Sequence, residues 1–521
     1  MKRTSRTARI ITRRTIAIVA GLSLVTGGMS GIAYAYADGV GAPVAATSQT
    51  GAPTKPGANG GGADTMSFDY SGSYTGAVTA NGTKKASKNK TYTASSSDQN
   101  AALVQNGGTL TLRCALLQKS GDDTDGDSCN FYGVNSILTA VGSGSTAYVS
   151  DSSLAATSAG SNGIFATDGA TAYASNTSID TTADNSRGLD ATYGGTIIAD
   201  KLDISTAGDH CAGIATDRGG GSISATDTDI TTKGSGSPIL YSTGDIEIDG
   251  VTATASGSQI AGMEGLNTIL IKSSKLSSAI TGKTASDPIA NGVIIYQSTS
   301  GDAESTTGET ATFQAVNSTL SSKIESGSMF YLTNTSANVV LKKTKLKFDS
   351  SKAALITAEG NDSNNWGQSG SNGANVTFTG IKQTLKGNIV ADTISCIDMY
   401  LTRGSTWTGT ASIEQNAAGS TSDAPITINV DKTSTWVVTK DCTVSSLNVA
   451  QGGKVVDEDG KTVSIVANGK TVVEGESSLT VTVTGNYGTS VKTTSANKLA
   501  SDTIDRTAFD KKFKTSTAFT M

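Results

Sequence analysis

The 521-residue chain has one histidine, six prolines and three tryptophans, and only 5% of its residues are aromatic. A histidine-based zinc site or a Ser-His-Asp triad would depend wholly on His210. No motif surrounds it in Gly208-Asp209-His210-Cys211, so it reads as an exposed turn residue. Sustained apolar runs at i, i+3, i+4 and i+7 are missing, which argues against a helical bundle; the apolar pattern alternates instead. Neither a nucleotide fingerprint nor a phosphate loop occurs, because Arg218-Gly219-Gly220-Gly221 lacks the strand, glycine spacing and helix of such a site. No run of 18 apolar residues is present. Acidic residues (45) outnumber basic ones (40), which argues against nucleic acid as a partner. Five cysteines are an odd number and form no disulfide framework; Cys114 with Cys129 is the one pair whose spacing allows a loop between them.

What is abundant is glycine, at 60 residues, together with small and β-branched side chains. Such a composition suits a narrow tube lined by Ile, Leu, Val and Ala. The first residues, with Lys2, Arg3, Arg6, Arg9, Arg13 and Arg14 ahead of the apolar Ile16 to Val25 and the small-residue pattern Ala33-Tyr34-Ala35-Tyr36-Ala37, predict a secretory signal peptide over 1–37. Export by the general or the twin-arginine route is left open by Arg13-Arg14. Residues 38–67, rich in Gly, Pro and Ala, predict a disordered linker. With no anchor or lipidation cysteine evident, the expected product is secreted or held non-covalently at the cell surface.

Three glycine-led units, Gly163-Ile164-Phe165-Ala166-Thr167, Gly188-Leu189-Asp190-Ala191-Thr192 and Gly213-Ile214-Ala215-Thr216-Asp217, follow at a step of 25. Pro238-Ile239-Leu240-Tyr241-Ser242 keeps the step, which would stack Ile164, Leu189, Ile214 and Ile239. A period of this length in short β-type pieces predicts a solenoid. The expected fold class is all-β, a right-handed parallel β-helix with three strands per coil and about 25 residues per coil. The expected organisation is an N-terminal β cap and first coils over 68–132, the β-helix over 133–450, a C-terminal β tail over 451–486 and a flexible polar tail over 487–521. Ser300 to Glu309 and Gly360 to Asn372 are the largest insertions, and Tyr296 and Trp366 are the candidate binding aromatics.

Two tryptophan units, Leu401-Thr402-Arg403-Gly404-Ser405-Thr406-Trp407 and Val430-Asp431-Lys432-Thr433-Ser434-Thr435-Trp436, recur at a step of 29. This repeat, followed by Val444-Ser445-Ser446-Leu447-Asn448-Val449, resembles the distal coils of autotransporter-type passenger domains. The coils from Gly133 resemble adhesin-like β-helix proteins of bacteria. The resemblance covers about residues 100 to 450 and implies a surface or secreted β-helix, often adhesive; it carries no catalytic residues. No outer-membrane barrel follows in this sequence. Packing in the core or at a corner is expected for Trp407 and Trp436.

A carbohydrate-active enzyme on a β-helix would need aspartates clustered on one outer sheet beside Arg, Lys or His. The nearest approach is Asp168, Asp190, Asp217 and Arg218; the 25-residue register puts Asp168, Tyr193 and Arg218 in one column and predicts a Tyr193–Arg218 stacking contact. This register does not bring three acids together. Asp123, Asp125 and Asp127 are spaced like a calcium loop, but Gly121 and Tyr132 would fall where ligands belong. Thr181, Thr206 and Thr231 recur at 25, too short an array for an ice-binding face. The expected function is therefore non-catalytic attachment to an extracellular glycan or a host or cell-surface molecule, with Tyr296, Trp366, Tyr193 and Arg218 as candidate contacts, no cofactor beyond calcium at the aspartate loop, and a lyase or hydrolase as the alternative.

Overall fold

The computed structural model describes residues 67–298, 303, 310–362, 366–419 and 425–521. The expected leader, nearly all of the linker, and the insertion Ser300 to Glu309 apart from Ala303 lie outside the described residues. The described chain is almost entirely β, a solenoid-like stack of parallel strands with two short α-helices, Gly126–Tyr132 (α1) and Thr507–Phe513 (α2). A first ladder of thirteen strands runs from Thr75–Asn81 to Ala411–Glu414. A second begins with Lys84–Lys88, Thr109–Arg113 and Thr146–Ser150, and a third with Thr91–Ala94, Leu116–Lys119 and Ser153–Ala156. In Thr171–Thr181 and Gly195–Thr206 the second and third ladders fuse into one bent strand. The bend is a single left-handed residue, as at Asp151, Asn176, Lys201, Asp227 and Ser273, where φ lies between 48° and 58°. Asn and Asp tolerate this conformation better than other residues with a Cβ.

The glycine repeat has a steric cause. A Cβ at Gly163 would stand 2.4 Å from the Gly188 carbonyl oxygen and from Ile179 Cγ2, and one at Gly188 would meet Gly213 and Ile204 at 2.4 and 2.5 Å. Each glycine thus lets the chain enter the first ladder flush against both the next coil and the tube's own isoleucines. Inside, like stacks on like: Ile197, Ile223, Ile246 and Ile269 form one column that continues through Phe313, Val339 and Phe378. All are fully buried.

The fixed step fails after the third unit. Ile164 pairs with Leu189 and Leu189 with Ile214, but Ile214 pairs with Leu240, not Ile239. An extra residue in Arg218-Gly219-Gly220-Gly221 shifts the register, since Gly195 aligns with Gly221. The same shift removes Thr231 from the expected threonine column. Thr181, Thr206 and Thr232 align instead, all buried, and each hydroxyl donates 2.6 Å to a carbonyl five residues on, at Ser186, Cys211 and Ser237. Later coils vary more: Leu240 pairs with Ala261, Ala261 with Val293, and Val293 with Phe330.

Trp407 and Trp436 are fully buried neighbours in register, with ring centroids 5.0 Å apart. Their indole N–H groups donate to Gly387 and Gly409 carbonyls at 2.8 and 3.0 Å, so the polar edge of each ring is satisfied. Four strands, Lys454–Val456, Ser464–Ala467, Lys470–Val473 and Thr480–Val483, follow in the stretch expected as a β tail.

Residues 487–521 are not a flexible tail. They turn back along the outer face of the second ladder, where Tyr148, Tyr173, Ile198, Ser224, Glu247, Leu270, Gln314, Val340 and Thr379 form one outward column. Asn497 bonds Thr379 Oγ1, Gln314 bonds Lys498 and Ala500, and Glu247 accepts from the Ile504 N–H at 2.9 Å. Arg506, 2% exposed, donates to Ser224 and Ala199 carbonyls and to Thr226. Phe509 of α2 is fully buried against Tyr173, with Phe513 reaching Tyr148. The composition of this segment is polar, but its few apolar and long side chains are spaced to meet an apolar stripe that would otherwise face water.

Truncating the Phe509 anchor (Phe509→Ala) removes burial of a whole ring, about 3–5 kcal/mol in a packed site. Hydrogen exchange is expected to lose protection over residues 495–521 while the stacked ladders keep theirs; equal loss in both would contradict a strap that docks on a finished stack.

Candidate functional site

The outward face of the first ladder carries the charged groups. One column contains Phe165, Asp190, Ala215, Tyr241, Gly262, Ile294 and Tyr331. The next outward positions hold Thr192, Asp217, Thr243, Glu264, Tyr296, Thr333, Glu359, Asp392 and Glu414, with Glu264 paired to Tyr296, Tyr296 to Thr333 and Asp392 to Glu414. Five acids therefore share one column, which corrects the expectation that no three would converge on one outer sheet. Coils of unequal length hid this from a fixed step. The available signal was local: Glu264, Glu359, Asp392 and Glu414 each directly follow an apolar core residue at the end of a short strand, or one position beyond it.

At the end nearest the N-terminus, α1 lies over this face. Asp125 caps it, accepting from Ser128 N–H and hydroxyl, so one carboxylate of the supposed calcium loop is engaged in holding the helix. Asp127 sits in the first turn, and burial raises the half-buried Asp123. Among the described residues no group of three or more His, Cys, Asp or Glu side chains is arranged to hold a metal ion. Beneath α1, Arg187 joins Asp190 at 3.2 Å and Asp217 at 2.8 Å, and also donates to Asn130 Oδ1. Burial alone would lower the Arg187 guanidinium; the two aspartates outweigh it and hold the charge. Burial also pushes Asp190 well above the usual carboxylate range, against the pull of Arg187.

The structure thus brings Asp190 and Asp217 together, but through Arg187, which sequence reasoning missed. Asp168, Tyr193 and Arg218 do stack through their backbones, with Gly169 N–H to Tyr193 O and Tyr193 N–H to Arg218 O at 3.1 Å. The side chains part: the Tyr193 ring stacks on Tyr132, with Phe68 edge-on to both, while the Arg218 guanidinium lies 3.7 Å from the Phe131 ring centroid. The expected Tyr193–Arg218 contact is replaced because α1 presents its own aromatics to both. His210 is half-buried in a left-handed turn, not exposed, and burial lowers its pKa. Cys114 is exposed and Cys129 is buried within α1, and the two are not joined.

Further along, Glu264 is 3% exposed and accepts from Tyr241, from Tyr296 and from Ser298. Tyr296 and Trp366, expected as rim aromatics, stack on each other at 4.3 Å and are 6% and 4% exposed. Of the loop from Gly360 to Asn372, the described residues 360–362 and 366–372 fold back over the ladder; Asn372 bonds Asn361 and the Trp366 carbonyl and so pins the indole over Tyr296. Beyond them, Asp392 accepts from Gly360 N–H and Asn416, and Glu359 is pushed up to about 7 by burial and then by Asp392 and Glu414. Asp190, Asp217, Glu264, Asp392, Tyr296 and Trp366 are therefore locked into the protein's own packing, whereas Glu359 is half-buried and Glu414 exposed.

With loops on the first ladder and the strap on the second, the third ladder is the one left open. Its outward positions run Ser178, Asp203, Asp229, Thr252, Lys275, Thr319, Lys345 and, beside them, Asp180, Ser205, Thr231, Thr254, Ser277, Ser321, Lys347. Most are exposed. Hydroxyls occupy the middle, acids lie toward one end and lysines toward the other.

No family model matches this chain, and neither a curated protein nor a solved structure is found to match it. The likeness to autotransporter-type passengers rests on the sequence repeats alone.

Replacing Arg187 with Met leaves two buried carboxylates facing each other, and a loss of roughly 3–5 kcal/mol is expected. Adding Asp190→Asn and Asp217→Asn to the same chain should restore most of the denaturation midpoint; no restoration would mean that the methionine itself is at fault. Stability should also depend on pH. Glu247, Asp287 and Glu359 are each raised to about 7, chiefly by burial. The folded chain therefore holds more protons than the unfolded one between the ordinary carboxylate range and 7, and the stability these groups confer is complete in acid and lost as pH rises through 7. His210, lowered by burial, acts in the opposite direction as a single group. A higher melting temperature at pH 5 than at pH 8 is expected, with the difference reduced in Glu359→Gln.

Proposed function

We propose that the chain is a secreted or surface-associated, right-handed parallel β-helix that attaches without catalysis to an extracellular glycan or to a molecule on a host or neighbouring cell. The observation that carries this reading is the unequal treatment of the three outward faces. The chain covers the first with α1 and the Trp366 loop and the second with its own C-terminal strap, and leaves the third uncovered, many strands long and rich in hydroxyls. A rigid face of this kind makes many weak polar contacts in register with an extended polymer, so attachment would rest on repetition more than on a deep pocket. The burial of Asp190, Asp217 and Glu264 in internal ion pairs and hydrogen bonds supports a non-catalytic role, since none of them is open to a substrate.

One observation favours the alternative, a polysaccharide lyase or hydrolase. Glu359, Asp392 and Glu414 follow one another on adjacent coils, and Glu359 titrates near neutrality, as a general acid requires. The two readings separate in one experiment: a glycan array with the purified chain, run beside a depolymerisation assay with and without calcium. Selective binding without release of oligosaccharides is expected, with at least a roughly tenfold loss in a Thr231→Trp, Thr254→Trp chain, whose two indoles would stand on the open face in place of exposed hydroxyls. Oligosaccharide release abolished by Glu359→Gln would replace attachment with catalysis.

A further inference from the structure

The two ends of the stack are incomplete in complementary ways. At one end, Thr75–Asn81, Lys84–Lys88 and Thr91–Ala94 each have a strand partner on one side only among the described residues. Their other edges are rows of backbone donors and acceptors of the kind that add strands. Four exposed lysines, Lys84, Lys85, Lys88 and Lys90, surround this edge, and Asp98 is the only acid between Thr75 and Asp98.

At the opposite end the stack finishes on Lys454–Val456, paired as a strand only with Thr435–Val438, and on the edge strand Lys470–Val473. Between them opens a cleft of about 820 Å³ lined by Val449, Val455, Val463, Ile465, Val473 and Tyr487. Val472 beside it, 43% exposed, is the one large apolar side chain that is exposed among the described residues. Glu458, Asp459, Glu474 and Glu476 are exposed around this end. Over residues 451–486 acids outnumber bases by five to three.

We propose that copies of this chain associate end to end, the lysine-bearing first coil of one docking on the acidic, apolar-floored last coil of the next. Lysines on a strand edge commonly prevent self-pairing, and here they do so between like ends. They do not oppose an acidic end. Because the two surfaces differ, the contact does not close on itself and continues into a row. The proposal concerns assembly and stands apart from the attachment reading, since the open third ladder would remain outside the contact.

Sedimentation velocity of the purified full chain tests this directly. The expected result is mass that rises with concentration at low ionic strength and falls in 0.5 M salt, about where screening reaches contact distance. A Lys84→Glu, Lys85→Glu, Lys88→Glu chain should associate roughly tenfold or more weakly, as should a Glu458→Lys, Asp459→Lys, Glu474→Lys chain. All six positions are exposed, so circular dichroism should be unchanged in both. An equal mixture of the two variants should regain assembly. A monomer at every concentration in low salt, association indifferent to either charge reversal, or no recovery on mixing would each overturn the proposal.

Discussion

Between its two ends, the stack gives each strand its backbone partners from the coil before and the coil after, and everything else accommodates that exchange. A coil cannot shift by one residue without turning an inward isoleucine outward, so the inward ladders hold register even where the loops between them differ in length. Glycine appears where one coil's carbonyl leaves no room for a Cβ, and a left-handed Asn, Asp or Lys where the chain must change ladder in a single residue. Length variation is pushed entirely into the outward loops. These loops then decide which faces of the rod meet solvent.

The faces are treated differently for a physical reason. The first and second ladders present outward side chains that water does not favour, Ile294 and Tyr331 on one, Ile198, Leu270 and Val340 on the other, and both are covered by other parts of the chain. The third ladder presents Ser, Thr, Asp and Lys and needs no cover. Covering apolar faces also draws in ionisable groups. Arg187 with Asp190 and Asp217, and Glu247 beneath the strap, are buried because the segments above them are closed. Their unusual protonation follows from cover and close packing.

The sequence made the stack legible where its signals were local and periodic. The glycine-led units and the Ser-Thr-Trp pair led to a parallel β stack, and the tryptophans occupy the core as their spacing indicates. The first ladder's acids were not legible, because Glu264, Glu359 and Asp392 fall in one column only after loops of different lengths are threaded out, and no fixed step finds them. Tyr296 and Trp366 stand out in the sequence as candidate binding aromatics, but Tyr296 ends a strand and the two rings stack on each other, which the sequence does not say. The strap was hidden for a related reason. Its contacts, from Asn497 to Phe513, join residues more than a hundred positions apart, and a run of Thr, Asp and Lys carries no visible period.

The strap has a mechanical consequence. It begins at the last coil and ends over the first ones, with Asn497 at Thr379, Ile504 at Glu247 and α2 at Tyr173 and Tyr148. Tension applied at Met521 would therefore load first the buried Phe519, held by the Thr503 hydroxyl and beside Lys272, and the Thr517 bonds to Asp510 and Arg506, then the α2 contacts, and then Arg506, Ile504 and Asn497 in turn. Peeling of this kind proceeds at low force, whereas shearing the parallel ladders would load many hydrogen bonds at once. A rod tethered by its C-terminal end could thus lengthen by some thirty residues under load before any coil of the stack is strained, releasing slack while the open face keeps its shape.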